Sequence, residues 1–106
     1  MKSHRTSPGS KKVHSLAGTI RRHRRVLNDE YKVREIGLFG SVVRGTAKRN
    51  SDVDILVDFV ELPDLLRFIE LERYLQTILK KKVDLVDRGG LRPGLREAIL
   101  SEVVFV

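Results

Sequence analysis

The sequence has no cysteine, only three prolines, and no acidic residue before Asp29. Without cysteine, disulfides and thiolate metal sites are excluded, and a cytoplasmic location is expected. No apolar run approaches the ~20 residues that a membrane helix needs, and no charged-then-apolar leader is visible, so neither membrane insertion nor secretion is expected. The missing acid makes the charge lopsided. Residues 1–28 hold eight Lys and Arg and no Asp or Glu, a net +8, while the remaining 78 residues sum to −1. Two readings of this basic segment stay open. It attracts RNA, DNA or an acidic partner protein, or it is a solvated tail and helix face.

A length of 106 residues with 41% apolar content suits one folded domain with a modest core. Residues 1–9, with Ser7-Pro8-Gly9, read as a disordered tail, and residues 10–106 as the domain. A helix is expected from about Ser10 to Asn28, because Val13, Leu16, Ala17, Ile20 and Leu27 recur at helical spacing. Arg24 falls inside that stripe. It either snorkels to the edge of the helix or reaches toward a phosphate site. Short apolar segments at 33–39, 53–59 and 83–87 read as strands. Pro63 and Asp64 open a second long helix that runs to about Leu79. Its apolar set, from Leu65 and Leu66 to Ile78 and Leu79, is wide enough either to lie under the sheet or to form an interface. Pro93 to Ser101 reads as a last helix with Leu95, Ala98 and Ile99 facing inward, and Val103–Val106 as an added edge strand. Strand–helix–strand–helix–strand order gives an α/β (α+β) domain: a small mixed sheet of three to four strands flanked by helices.

The chemistry is concentrated in Gly40–Asp54, which reads G-S-V-V-R-G-T-A-K-R-N-S-D-V-D. Gly40-Ser41 follows one strand, and ten intervening residues lead to Asp52-x-Asp54 at the start of the next. Alternation places Asp52 and Asp54 on one face, ~7 Å apart, and Val53, Ile55, Val57 and Phe59 on the other, buried face. Two carboxylates on one exposed face repel each other unless they hold a hard cation, most simply Mg²⁺, with a phosphate oxygen completing its shell. Gly40 permits a sharp turn and close backbone approach. Ser41 offers a hydroxyl and an N–H at the start of a short helix, a natural anion site.

Gly40-Ser41, Asp52 and Asp54 at this spacing, together with Arg44-Gly45 and Ser51, resemble the signature of the polymerase beta-like nucleotidyltransferase superfamily, and of its small prokaryotic branch, the minimal nucleotidyltransferases. The resemblance covers about Val33 to Asp87. It implies that superfamily's fold and a third carboxylate on the strand beside Asp-x-Asp. The matching position is Asp84, in Lys82-Val83-Asp84-Leu85-Val86; Asp87, at the strand end, is the competitor and suits a turn. The implied reaction is Mg²⁺-dependent transfer from a nucleoside triphosphate, with Asp52, Asp54 and Asp84 as catalytic residues and ligands of two ions. Asp84 could also accept the attacking hydroxyl's proton. Gly40, Ser41, Arg44 and Ser51 would serve the nucleotide. Arg44 either neutralises phosphate charge or forms an ion pair with Asp52 or Glu35. Ser51 fixes the turn before Asp52.

A chain this short holds no evident acceptor-binding domain, so a partner or self-association is expected. Small proteins of this kind are often paired with an HEPN-type toxin and transfer AMP from ATP to a tyrosine of it. That is the first functional expectation. The alternatives are transfer to a small molecule or to RNA, or a non-catalytic module that neutralises its partner by contact.

Overall fold

β1 (Val33–Phe39) and β2 (Val53–Phe59) pair antiparallel at the centre of a four-stranded mixed sheet. A computed structural model describes residues 8–106 of the chain, with side-chain environments from Lys11 onward. β3 (Val83–Asp87) adds parallel to β2, and β4 (Val104–Phe105) adds antiparallel to β1, giving the order β3-β2-β1-β4. The parallel pair requires a crossover, which α4 (Leu65–Leu79) supplies. The remaining helices are α1 (Pro8–Arg22), α2 (Arg24–Tyr31), the single turn α3 (Ser41–Arg44) and α5 (Pro93–Glu102). The expected disordered tail lies, through Ser7, outside the described residues.

The expected helix over Ser10–Asn28 is two helices that reach Tyr31. His23 makes the break. Its backbone N–H donates to Ile20 O at 3.0 Å, one residue short of the α-helical partner. That partner, Thr19 O, is taken instead by the His23 ring Nδ1 at 2.9 Å. A side chain that takes a helix carbonyl tightens and bends the ladder. Arg24, the first residue of α2, does not approach a phosphate site. Its guanidinium donates to Val106 O at 2.7 Å and Arg34 O at 3.2 Å, and so ties α2 to the β1–β4 edge.

Alternation along β2 buries Val53, Ile55, Val57 and Phe59 against α1 and α4, as the strand period requires. Leu16, Ile20 and Leu27 from α1 and α2, and Leu71, Leu75 and Leu79 from α4, fill this layer. The opposite face carries a smaller cluster of Phe39, Leu56 and Ile99 under α5. Asp64 caps α4, its carboxylate accepting the Arg67 N–H at 2.8 Å. The wide α4 stripe divides: Leu71, Leu75 and Leu79 are buried, whereas Leu65 and Leu66 are exposed. α5 departs from expectation. Ile99 is buried, but Leu95 and Ala98 are exposed. The helix leans over one end of the sheet, and those two side chains line a cleft instead of entering the core. No helix among the described residues is long and apolar enough to cross a membrane.

Candidate active site

Strand pairing brings the site together. In the β1–β2 ladder Phe39 stands opposite Asp54, so Gly40, the next residue, lies against the Asp54 side chain. In the β2–β3 ladder Asp54 stands beside Asp84. Residues from three elements thus meet at one sheet end, although Asp84 is 30 positions from Asp54 in the chain.

Gly40 has φ +77°, where L side chains are strained, and a Cβ there would collide with the Asp54 carboxylate. Its carbonyl accepts the N–H groups of Val43 and Arg44, each at 3.1 Å, which winds α3. Ser41 opens α3 and is partly exposed. Ser51 immediately precedes Asp52. Its Oγ accepts the Lys48 N–H at 2.8 Å and its own N–H donates to Lys48 O at 3.0 Å. This closes the Lys48–Ser51 turn, the role expected of it.

The three aspartates are not equivalent. Asp54 is partly buried and Asp84 exposed, and both line a cleft of about 480 Å³. Asp52 is exposed and precedes β2, because sheet pairing starts only at Val53, whose N–H donates to Lys82 O at 2.8 Å. It lines a separate small cavity with Lys12, Lys48 and Lys81. It is still near enough to act on Asp54 electrostatically. Burial first, then the charges of Asp84 and Asp52, push the Asp54 pKa above the ordinary aspartate value; Arg44 opposes this and Glu102 adds a smaller push upward. Asp87, the competitor for the third position, does what a turn aspartate does: its Oδ1 accepts the Gly89 N–H at 3.1 Å.

Among the described residues no three acidic or His side chains form a ready-made metal cage. The donor set nonetheless suits Mg²⁺, which is held through one or two carboxylates, with water and substrate phosphates completing its octahedron. Adjacent, mutually repelling Asp54 and Asp84 at an open cleft provide such an incomplete set.

Arg44 pairs with neither Asp52 nor Glu35, the two expected partners. Glu35 is engaged by Arg88 at 3.1 Å. Arg44 Nη1 instead donates to Glu102 Oε1 at 3.0 Å and Oε2 at 3.1 Å, and Glu102 Oε2 also accepts the Gly40 N–H at 2.9 Å. The sequence reading missed Glu102. It sits 58 positions from Arg44 as the last residue of α5, where a carboxylate opposes the helix dipole and so calls for a cationic partner that sequence spacing does not name. On the cleft's other side Leu91, Leu95, Ala98 and Ile99 present an apolar wall.

Comparisons with known proteins identify the family. The protein adenylyltransferase MntA of Thermococcus cleftensis is 50% identical over 94 residues, covering 89% of this chain and 95% of the relative. A solved minimal nucleotidyltransferase superposes with a TM-score of 0.69 at 37% identity, covering 84% of this chain and 93% of the other. A solved structure of tri-AMPylated Shewanella oneidensis HEPN toxin in complex with MNT antitoxin superposes with a TM-score of 0.63 at 25% identity, covering 85% and 70%. The family profile described as a nucleotidyltransferase domain matches residues 20–106. With that match over most of the chain, and close relatives of the same size, this protein belongs to the nucleotidyltransferase domain family, in its minimal nucleotidyltransferase branch.

Proposed function

We propose that this nucleotidyltransferase transfers AMP from ATP to a tyrosine hydroxyl of an HEPN-type partner protein, as the antitoxin of a toxin–antitoxin pair. The observation that carries the chemistry is the register pairing of Asp54 with Asp84 at a cleft bordered by the Gly40–Arg44 loop. The acceptor is suggested by the relatives: one is named a protein adenylyltransferase, and another is the antitoxin complexed with an AMPylated HEPN toxin.

In this reading Asp54 and Asp84, joined by Asp52 from the preceding turn, would hold Mg²⁺. When bound, the metal neutralises triphosphate charge and stabilises the entering and leaving oxygens. Asp84, the more exposed of the two paired aspartates, accepts the proton of the attacking hydroxyl. The acceptor oxygen bonds to the α-phosphorus of ATP as the bond to pyrophosphate breaks. Pyrophosphate departs on the side of Ser41 and Arg44. Only Nη1 of Arg44 is bonded to Glu102, so the rest of the guanidinium remains for a phosphate oxygen. Ser51 contributes through the turn that presents Asp52.

The test is incubation with α-labelled ATP, Mg²⁺ and an HEPN-type protein encoded beside this one. Label on a partner tyrosine, lost in Asp54→Asn, supports the proposal. Label on RNA or a small molecule transfers the function to those acceptors. A stoichiometric complex without label, unaffected by Asp54→Asn, makes the protein a contact inhibitor.

A further inference from the structure

The turn before β2 and the turn before β3 lie side by side, because β2 and β3 run parallel and Val53 N–H is bonded to Lys82 O. The first turn carries Lys48 and Arg49; the second carries Lys80, Lys81 and Lys82. With Lys12 of α1 they frame two cavities of about 110 and 270 Å³ that share Ser51 and Lys81 and so form one groove. All six cations are exposed. None takes part in the ion pairs found among the described residues, which use Arg34, Arg44, Arg67 and Arg88. Among the described residues the single acid lining the groove is Asp52, close enough to Asp54 to act on its charge.

Six like charges facing a single carboxylate repel one another and concentrate a positive field in the groove. Just beyond Asp52, the Asp54–Asp84 pair repels any acidic approach. An incoming chain therefore meets a positive strip and then a negative centre. We propose that this groove docks an acidic segment of the protein acceptor, so that the adjoining hydroxyl is delivered to the Asp54–Asp84 cleft. The inference rests on the proposed transfer to a protein and names the recognition chemistry of that acceptor. A nucleic acid is the less suited polyanion. Single-stranded nucleic acids are held by basic grooves that also offer aromatic platforms for the bases, and among the described residues no aromatic side chain lines either cavity. Five of the six cations are lysines, mobile point charges that suit irregularly spaced carboxylates.

The groove is tested by binding, without ATP, to a fluorescent glutamate–tyrosine copolymer, a lysine–tyrosine copolymer and a single-stranded RNA oligonucleotide. The intact protein is expected to prefer the glutamate–tyrosine copolymer, with affinity that falls as salt rises. Arg49→Glu/Lys80→Glu/Lys82→Glu, which spares the lysines that share a cavity with Asp52, is expected to weaken that binding about tenfold while ATP–Mg²⁺ binding stays within about twofold. The single Lys81→Ala change, which trims an exposed side chain, should weaken it in the same direction. Tighter binding to RNA than to the acidic copolymer, lost in the triple variant, overturns the proposal in favour of nucleic acid. Equal copolymer binding by intact protein and variants overturns it outright. Because binding is read without nucleotide, absence of AMP transfer in the labelling experiment would count against the proposed function and not against the groove.

Discussion

Glu102 holds Arg44 and, with the same carboxylate, the backbone N–H of Gly40. One side chain at the end of α5 thereby fixes the start of the loop that follows β1 and the orientation of the arginine within it. The Glu102 side chain is 26% exposed, so its bonds are partly shielded from water.

Removing that carboxylate should loosen the loop. Glu102→Ala leaves the Gly40 N–H without its partner and frees Arg44, at an expected loss of about 1–2 kcal/mol in unfolding free energy. Glu102→Gln keeps an oxygen for the Gly40 N–H and should recover part of the loss. Thermal or urea unfolding of both variants decides it; two unchanged transitions would mean that the contact contributes nothing.

Gly40 is expected to tolerate no side chain. Gly40→Ala imposes a Cβ at φ +77° against Asp54, at an expected strain of about 1–3 kcal/mol, and displaces the carboxylate from Asp84. If the collision with Asp54 is the main cause, Asp54→Ala should relieve it. The double variant Gly40→Ala/Asp54→Ala would then be more stable than the sum of the single effects predicts. Strict additivity would assign the whole cost to backbone strain.

Asp54 should make stability depend on pH. Its folded-state pKa is raised above 3.8, chiefly by burial and then by Asp84 and Asp52, so the folded protein holds this proton more tightly than the unfolded chain does. The group favours the fold below the unfolded value, and that contribution is lost as pH rises through the folded one. Without divalent cations, the melting temperature of the wild type relative to Asp54→Asn is expected to decline as pH rises from 3.8 through that window. Mg²⁺ with ATP should restore stability at neutral pH in the wild type by mass action and fail to do so in Asp54→Asn. A pH-independent difference between the two proteins would remove carboxylate repulsion from the account.

Much of the architecture could be read before any coordinates. β2 and β3 carry their boundaries in local pattern, and Asp64 marks the start of α4 because a capping carboxylate is a local event. The break at His23 was not legible. A histidine within an expected helix gives no sign that its ring will take the carbonyl its own N–H would have used. The exposure of Leu95 and Ala98 was equally hidden, because helical spacing shows which residues share a face and not what that face meets.

What the sequence by itself determined is the pairing of a Gly-Ser turn with nearby aspartates, because strand period and turn chemistry act over a few residues. The family resemblance puts Asp84 on the neighbouring strand; the tertiary structure alone decided its register directly opposite Asp54, that Asp52 stays outside the strand, that Glu102 claims Arg44, and that two lysine-rich turns form one groove. Each of these depends on the β2–β3 register or on the direction in which α5 crosses the sheet. Such long-range placements follow from burial of Leu56, Phe39 and Ile99 between distant segments, a constraint that acts on the whole chain at once and leaves no mark in any short stretch of it.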